Sequence, residues 1–384
     1  MKNALRIGLV SVLVFFAACI KKKGDENAAP VNTTEILFGE YGSMTGSEST
    51  FGTSTHKGIM MAVEEANAAG GINGKKIRVI AYDDQGKSDE AVTAVTKLIT
   101  QDHVHIILGE VASSRSIAAG AVAQQYKVPM ISPSSTNPKV TEKRDYVSRV
   151  CFIDPFQGSV MAKFAVNNLG LKKAAIFRDI KADYSMGLAN YFEQELKKMG
   201  GEVVIDVAYS SGDVDFKSQL TNIKNKKPDV IFIPGYYTEV GVIARQAREL
   251  GIKATFLGGD GWDSDKLFEI GGKSIQGAYL SSHYSHEDKS PVVQNFVNKY
   301  KAKYGVIPDS LAAMGYDAAL VAMDAIKRSP DMSSKNLRDA IANTKNFQGV
   351  TGIITLDADR NAVKPAVVLQ VGETQYKYVT TINP

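Results

Sequence analysis

The chain has 384 residues, 44% of them hydrophobic and 22% charged, with two cysteines and a net charge of +4. At about 150 residues per domain this gives two or three units with room for sizeable cores. The ordinary apolar fraction and small net charge exclude a disordered chain, and two cysteines exclude a disulfide-dense scaffold.

Lys2 and Arg6 precede an apolar run from Ile7 to Ala18, broken by Gly8 and Ser11. That is the plan of an export signal over residues 1–18. About 12 apolar residues make a helix near 18 Å long, short of the roughly 30 Å hydrocarbon core, so a spanning anchor is the weaker reading. The run ends Phe16-Ala17-Ala18-Cys19. It resembles the lipobox of bacterial lipoproteins, with Phe16 where that pattern prefers leucine, and the resemblance implies lipidation of Cys19. The alternative is ordinary cleavage at a small-residue site. Residues 19–34, with Lys21-Lys22-Lys23, read as a basic tether suited to an anionic membrane surface. No later stretch reaches about 18 consecutive apolar residues, so no transmembrane helix is expected. Without the signal and tether charges the body is neutral to within one charge, which removes the electrostatic basis for nucleic acid as a partner.

From Ile36 onward β-branched runs alternate with amphipathic segments. In chain order the patterns predict strand Ile36–Gly42, helix His56–Ala69, strand Lys76–Asp84, helix Asp89–Gln101, strand His105–Gly109, helix Arg115–Tyr126 and strand Val128–Ser132. After a break near Val150–Phe156 come helix Gly158–Leu169, strand Ala174–Asp179, helix Gly187–Met199, strand Val203–Tyr209 and helix Asp215–Asn225. Strand Val230–Pro234, helix Glu239–Glu249 and strands Thr255–Gly258 and Gly277–Ser281 follow. Two long helices, Pro291–Tyr304 and Ser310–Lys327, precede a hairpin-like pair, Gly352–Leu356 and Ala366–Val371, turning through Asp357–Asn361. Strand–helix alternation with short connections implies parallel sheets covered on both faces. The fold class is α/β, with two doubly wound lobes.

Several short tags, in order, carry a resemblance. They include Gly42-Ser43-Met44-Thr45-Gly46, Gly70-Gly71-Ile72-Asn73-Gly74-Lys75, Tyr82-Asp83-Asp84, Ala112-Ser113-Ser114 and Ile131-Ser132-Pro133. Ser135-Thr136-Asn137-Pro138, Asp183-Tyr184, Pro234-Gly235-Tyr236, Gly258-Gly259-Asp260 and Gly349-Val350-Thr351-Gly352 continue the series. Together they resemble bacterial solute-binding proteins of the type I periplasmic fold, in the Leu/Ile/Val-binding branch of the ABC-transporter receptors. The resemblance implies two lobes joined by three crossovers near residues 154, 283 and 347. Residues 35–153 and 284–346 then form lobe 1, and residues 154–283 and 347–384 form lobe 2.

In open parallel sheets ligands bind beyond the carboxyl ends of the strands. Ala112-Ser113-Ser114 follows a strand and opens a helix, where free N–H groups and a hydroxyl suit a carboxylate; Ser134, Ser135 and Thr136 follow the next strand. Serines at helix starts also serve as plain N-caps. Asp260 follows a second-lobe strand, where the family usually has an acidic residue, and suits a ligand ammonium; as Gly258-Gly259-Asp260-Gly261 it is also a good turn. Tyr184 and Tyr236 also follow second-lobe strands and can present a hydroxyl or a ring face, and Phe51 and Trp262 are candidate pocket walls, with packing the alternative for each and core the commoner place for Phe51 and Trp262.

The resemblance implies an extracytoplasmic receptor that closes over an amino acid and delivers it to a membrane permease. It would be a monomer, held by lipid at Cys19 at the outer face of the cell membrane or in the periplasm. A sensing subunit for a membrane partner, and a receptor for an amide, urea-like or carboxylate solute, are the alternatives. No cofactor, metal or catalytic residue is expected. The Gly70–Lys75 run has Ala69 and Lys76 at the outer positions of a phosphate loop, and the Asp357–Asn361 run has Ala362 and Val368 where a calcium loop needs glycine and glutamate. His103, His105, His283 and His286 lack metal-ligand spacing, and no nucleophile elbow is present. Cys151 reads as a buried thiol.

Overall fold

The computed structural model describes residues 34–384, so the export-signal and Cys19 readings lie outside the described residues. Chain order begins β1 (Glu35–Gly42), α1 (Ser49–Ala68), β2 (Lys76–Asp83), α2 (Ser88–Thr100), β3 (Ile106–Leu108), α3 (Ser113–Tyr126), β4 (Met130–Ser132) and β5 (Val147–Arg149). These strands form one parallel sheet in the order β2-β1-β3-β4-β5. β3 and β4 are buried along their whole length because helices cover both faces.

The second sheet grows from α4 (Asp154–Lys163), β6 (Lys173–Asp179), α5 (Asp183–Lys198), β7 (Glu202–Tyr209), α6 (Lys217–Lys226), β8 (Val230–Phe232), α7 (Tyr237–Glu249), β9 (Thr255–Gly258), α8 (Asp265–Gly271) and β10 (Tyr279–Ser282). Then come α9 (Pro291–Tyr304), α10 (Ser310–Arg328), α11 (Ser334–Ala342), β11 (Phe347–Gly349), β12 (Gly352–Ile354), β13 (Ala366–Val371) and β14 (Tyr376–Ile382). The second sheet runs β14-β13-β10-β9-β8-β6-β7, parallel from β10 to β7 and antiparallel at its β13–β14 end. Strand order reverses at β1/β3 in one sheet and at β6/β8 in the other, the switch points at which such sheets open a ligand crevice.

The α/β reading of two doubly wound sheets is what the structure has. Boundaries of α9 and α10 fall where sequence puts them, because Ser290 with Pro291, and Asp309, cap their first turns. Helix α1 starts at Ser49, seven residues before the apolar period begins. Its early residues are held by packing: a Cβ on Gly58 would strike the Ala312 carbonyl, and one on Gly315 the Thr55 carbonyl. Small residues thus let α1 and α10 cross closely.

Two expectations fail at the C-terminal end. Gly352–Leu356 does not pair with Ala366–Val371. β12 pairs instead with β11 in a two-stranded hairpin, while β13 pairs with β10 and β14. The chain also does not leave the first lobe near 347. Val350, Ile354, Leu356 and Ala362 bury in the core that contains Ile36, Ile106 and the α10 face. The physical reason is Asp317 on α10, whose carboxylate accepts from the N–H groups of Val350 (2.7 Å) and Thr351 (2.8 Å). The last crossing therefore falls between Ala362 and Ala366. Cys151 is a buried free thiol, its Sγ 3.4 Å from the Ser135 carbonyl and its pKa pushed up to about 12 by burial. No helix among the described residues is long and apolar enough to cross a membrane.

Candidate functional site

The carboxyl ends of β1, β3 and β4 in one sheet face those of β6, β8 and β9 in the other. Between them lies a small cavity. Its first-lobe wall is Phe51, Val111, Ser134 and Thr136, with Leu311 from the start of α10; its second-lobe wall is Tyr184, Tyr236, Asp260 and Gly261.

The β4–β5 connection is shaped before any ligand arrives. Ser132 Oγ accepts from the Ser135 N–H at 3.0 Å, and Ser135 Oγ reaches the carbonyls of Glu110 (2.9 Å) and Val111 (2.8 Å). Arg149, fully buried, donates to the carbonyls of Ser135 (2.6 Å) and Asn137 (2.9 Å). These bonds fix the loop while leaving the Ser134 Oγ and Thr136 Oγ1 buried without a hydrogen-bond partner among the described residues. An unpartnered buried hydroxyl costs about 1–3 kcal/mol, so a pair of them facing one cavity is a preformed place for a polar ligand group.

On the opposite wall Asp260 is 6% exposed, and its two oxygens accept from different side chains. Gln157 Nε2 lies 2.6 Å from Oδ1 and His283 Nε2 lies 2.9 Å from Oδ2. Tyr184 and Tyr236 stack with ring centroids 5.3 Å apart and 6° between planes, and Phe51 meets Tyr236 edge-on at 5.4 Å. Burial first, and the charge of Asp260 second, keep the Tyr184 hydroxyl protonated far above its ordinary range. The wall demands glycine at 261, where a Cβ would sit 2.8 Å from both the Gly235 carbonyl and the Tyr236 ring. Behind Thr136, Asp154 is fully buried with its carboxyl pKa pushed up to about 8. Burial is the main cause, with the charge of Asp260 adding to it; the nearby Thr136 hydroxyl, outside hydrogen-bond geometry, offsets only part.

Lobe-to-lobe bonds ring the cavity. Thr238 Oγ1 donates to the Ser47 carbonyl at 2.7 Å, and the Thr50 and Ser264 hydroxyls are 2.9 Å apart. The first turns of α3 and α5 meet at Asp183, whose N–H donates to Ser114 Oγ (2.9 Å) and whose carboxylate accepts from Ser114 Oγ (3.1 Å) and Lys139 Nζ (3.1 Å). The arrangement is a closed one.

Of the residues singled out from sequence, Phe51, Ser134, Thr136, Tyr184, Tyr236 and Asp260 line this cavity. Three do not. Ser113 Oγ is taken by the Asn137 N–H at 3.2 Å, and Ala112 sits beside it at the α3 N-cap with its N–H on Glu110. Trp262 is fully buried, its Nε1–H donating to the Ile233 carbonyl at 3.0 Å and its ring against Gly258, so it is core rather than pocket wall. Sequence reasoning passed over Val111, Gly261, Leu311, Gln157 and His283. Gly261 and Val111 adjoin chosen residues and were within reach. Leu311, Gln157 and His283 lie 19 to 38 residues from the nearest tag, and nothing local marks them as cavity residues. A larger cavity of about 690 Å³ lies behind the hinge, between residues 283–293 and 347–353, but exposed Asp288, Lys289 and Ile353 line it and none of the strand-end hydroxyls do. No metal-binding group of His, Cys, Asp and Glu is found among the described residues.

Two doubly wound sheets with a polar-and-aromatic cleft between their strand ends define a bilobal solute receptor. The periplasmic binding protein family matches residues 35–375, and the chain belongs to that family of extracytoplasmic, non-enzymatic ligand receptors. A crystal structure of a leucine binding protein, LivK, from Thermotoga maritima is 41% identical, covers 91% of this chain and 99% of its own, and superimposes with a TM-score of 0.88. The LivJ substrate binding protein of Streptococcus pneumoniae, solved with isoleucine, is 35% identical over 91% of this chain and 100% of its own, with a TM-score of 0.86. A Pseudomonas aeruginosa amino acid binding protein is 35% identical over 62% of this chain, a stretch that spans 64% of that relative.

Proposed function

We propose that the protein binds one free branched-chain aliphatic amino acid between its lobes and presents it to an ABC permease. The observation that carries the reading is the pairing of two unpartnered buried hydroxyls, Ser134 and Thr136, with the Asp260 carboxylate across a mostly apolar cavity. Hydroxyls and loop N–H groups suit an α-carboxylate, and Asp260 suits an α-ammonium by a charge-assisted bond in a water-excluded site. Phe51, Val111, Leu311 and the two tyrosines offer an aliphatic side chain only apolar contact. The cavity is small, which favours a single small solute over a peptide. Leucine and isoleucine named in the comparison structures support the choice of side chain. The solute acts by favouring the closed arrangement, in which bonds such as Ser47–Thr238 form. Lobe 1 is residues 35–153 and 284–364, lobe 2 is residues 154–283 and 365–384, and residues 1–18 with Cys19 provide export and a lipid anchor.

A thermal-shift and calorimetric screen against amino acids, amides and organic acids tests the proposal. A true ligand at about 100 times its Kd adds about 2.7 kcal/mol of stability. Leucine, isoleucine or valine should give the largest shift. A shift by carboxylates lacking an amine, with none by any amino acid, overturns the role given to Asp260. Mass spectrometry of membrane-extracted protein tests the anchor: an unmodified Cys19 removes it.

A further inference from the structure

Asp260 stands just past the end of β9, yet two side chains that donate to its carboxylate come from elsewhere. Gln157 is on α4, just past the first crossing between the lobes, and His283 directly follows β10, at the second. The His283 ring lies against Phe152 with centroids 4.0 Å apart, so both crossings meet at this point. His283 is 2% exposed and Gln157 fully buried, and Gln157 Nε2 also donates to Ser281 Oγ at 3.0 Å, which holds its amide in place.

We infer that His283, with Gln157, is a positioning residue for the solute ammonium: its Nε2–H fixes the plane of the Asp260 carboxylate without cancelling its charge. The argument rests on the reading of Asp260 as the ammonium partner. A carboxylate has room for about four hydrogen bonds. One donor on each oxygen stops it rotating and leaves the remaining lone pairs to the cavity. The nature of the donors matters as much as their number. A lysine or arginine at 283 would form an ion pair and compete with the solute cation, whereas an amide and a neutral imidazole do not. His283 is kept neutral by burial, which lowers its pKa, an effect that the Asp260 carboxylate opposes and the charge of Lys364 reinforces. With Nε2 donating to the carboxylate, Nδ1 is left without a partner among the described residues, as a neutral imidazole tolerates better than a buried imidazolium. Histidine here does the work of an oriented, uncharged N–H donor.

The test compares His283→Gln, which keeps an uncharged N–H donor, with His283→Phe, which keeps ring volume and removes it. Calorimetry is run with leucine and with 4-methylpentanoate, the same skeleton without the amine. His283→Phe should weaken leucine about tenfold or more, while His283→Gln stays within about threefold of wild type. Neither should change the affinity for 4-methylpentanoate. Gln157→Leu should reproduce the amine-confined loss, and it keeps the inference testable if His283→Phe does not fold. Equal losses for both compounds, or unchanged leucine binding in His283→Phe and Gln157→Leu, overturn the inference. If the wild-type protein binds 4-methylpentanoate as tightly as leucine, it is the ammonium role of Asp260 that fails, not the positioning of its carboxylate.

Discussion

The two walls of the cleft solve opposite problems. The first-lobe wall at residues 134–137 presents neutral hydroxyls on a loop that Ser132, Ser135 and Arg149 brace from behind. The second-lobe wall presents one charge, Asp260, flanked by stacked rings. Rigid neutral dipoles can be left unpartnered at about 1–3 kcal/mol each, whereas a buried charge cannot be left bare at all and needs donors of its own. Gln157 and His283 supply them. The hydroxyls of the first wall therefore come from one short loop, whereas the donors of the second are assembled across the hinge.

The largest expected break of this contrast is Asp260→Asn. It keeps an acceptor for His283 and removes the charge. Affinity for an amine-bearing solute should fall by about 3 kcal/mol, over a hundredfold, with little change in the melting point of the unliganded protein. Calorimetry and thermal unfolding check the two halves.

Trp262→Leu sharpens the boundary between wall and core. Loss of the indole and its bond to Ile233 should cost about 2–4 kcal/mol of stability by denaturant titration. Solute affinity in the folded fraction should stay within about threefold. An affinity loss without a stability loss would return Trp262 to the pocket.

Thr136→Val removes one neutral hydroxyl from the first wall. Binding should weaken by about 1 kcal/mol, and the unliganded protein should become slightly more stable, since an unpartnered buried group is gone.

Asp154→Asn tests the charge behind that wall. Its folded pKa, about 8, lies above the ordinary carboxylate value, so the native state holds its proton more tightly than the unfolded chain. Stability from this group is full at acid pH and is lost as pH rises towards about 8. The asparagine variant should match wild type near pH 4 and exceed its melting point at pH 8.5.

Asp183→Ala gives the smallest effect. The residue joins α3 and α5 across the rim without lining the cavity, and its ion pair with Lys139 is largely solvent-exposed. Every solute should weaken equally, by about 0.5–1 kcal/mol, leaving preference among leucine, isoleucine and valine unchanged.

How far the sequence reached follows from the same physics. Apolar runs such as Ile106–Leu108 and Val230–Phe232, the caps at Ser290 and Asp309, and the strand-end positions of Ser134, Thr136, Tyr184, Tyr236 and Asp260 are encoded within a few residues and were legible. Helix α1 began earlier than its period because packing against α10 overrode weak local propensity. Trp262 and Ser113 stand beside true cavity residues in sequence, and a single turn of backbone sends them inward to Ile233 and Asn137. Sequence alone determined the class of sheet, its switch-point cleft and most of the groups at its rim, since periodicity and strand ends are local properties. The tertiary structure alone decided where the chain last crosses between lobes, which hydroxyls remain unpartnered and which donors hold Asp260. Those depend on atoms brought together from residues 157, 260, 283, 317 and 350, and no local pattern records that meeting.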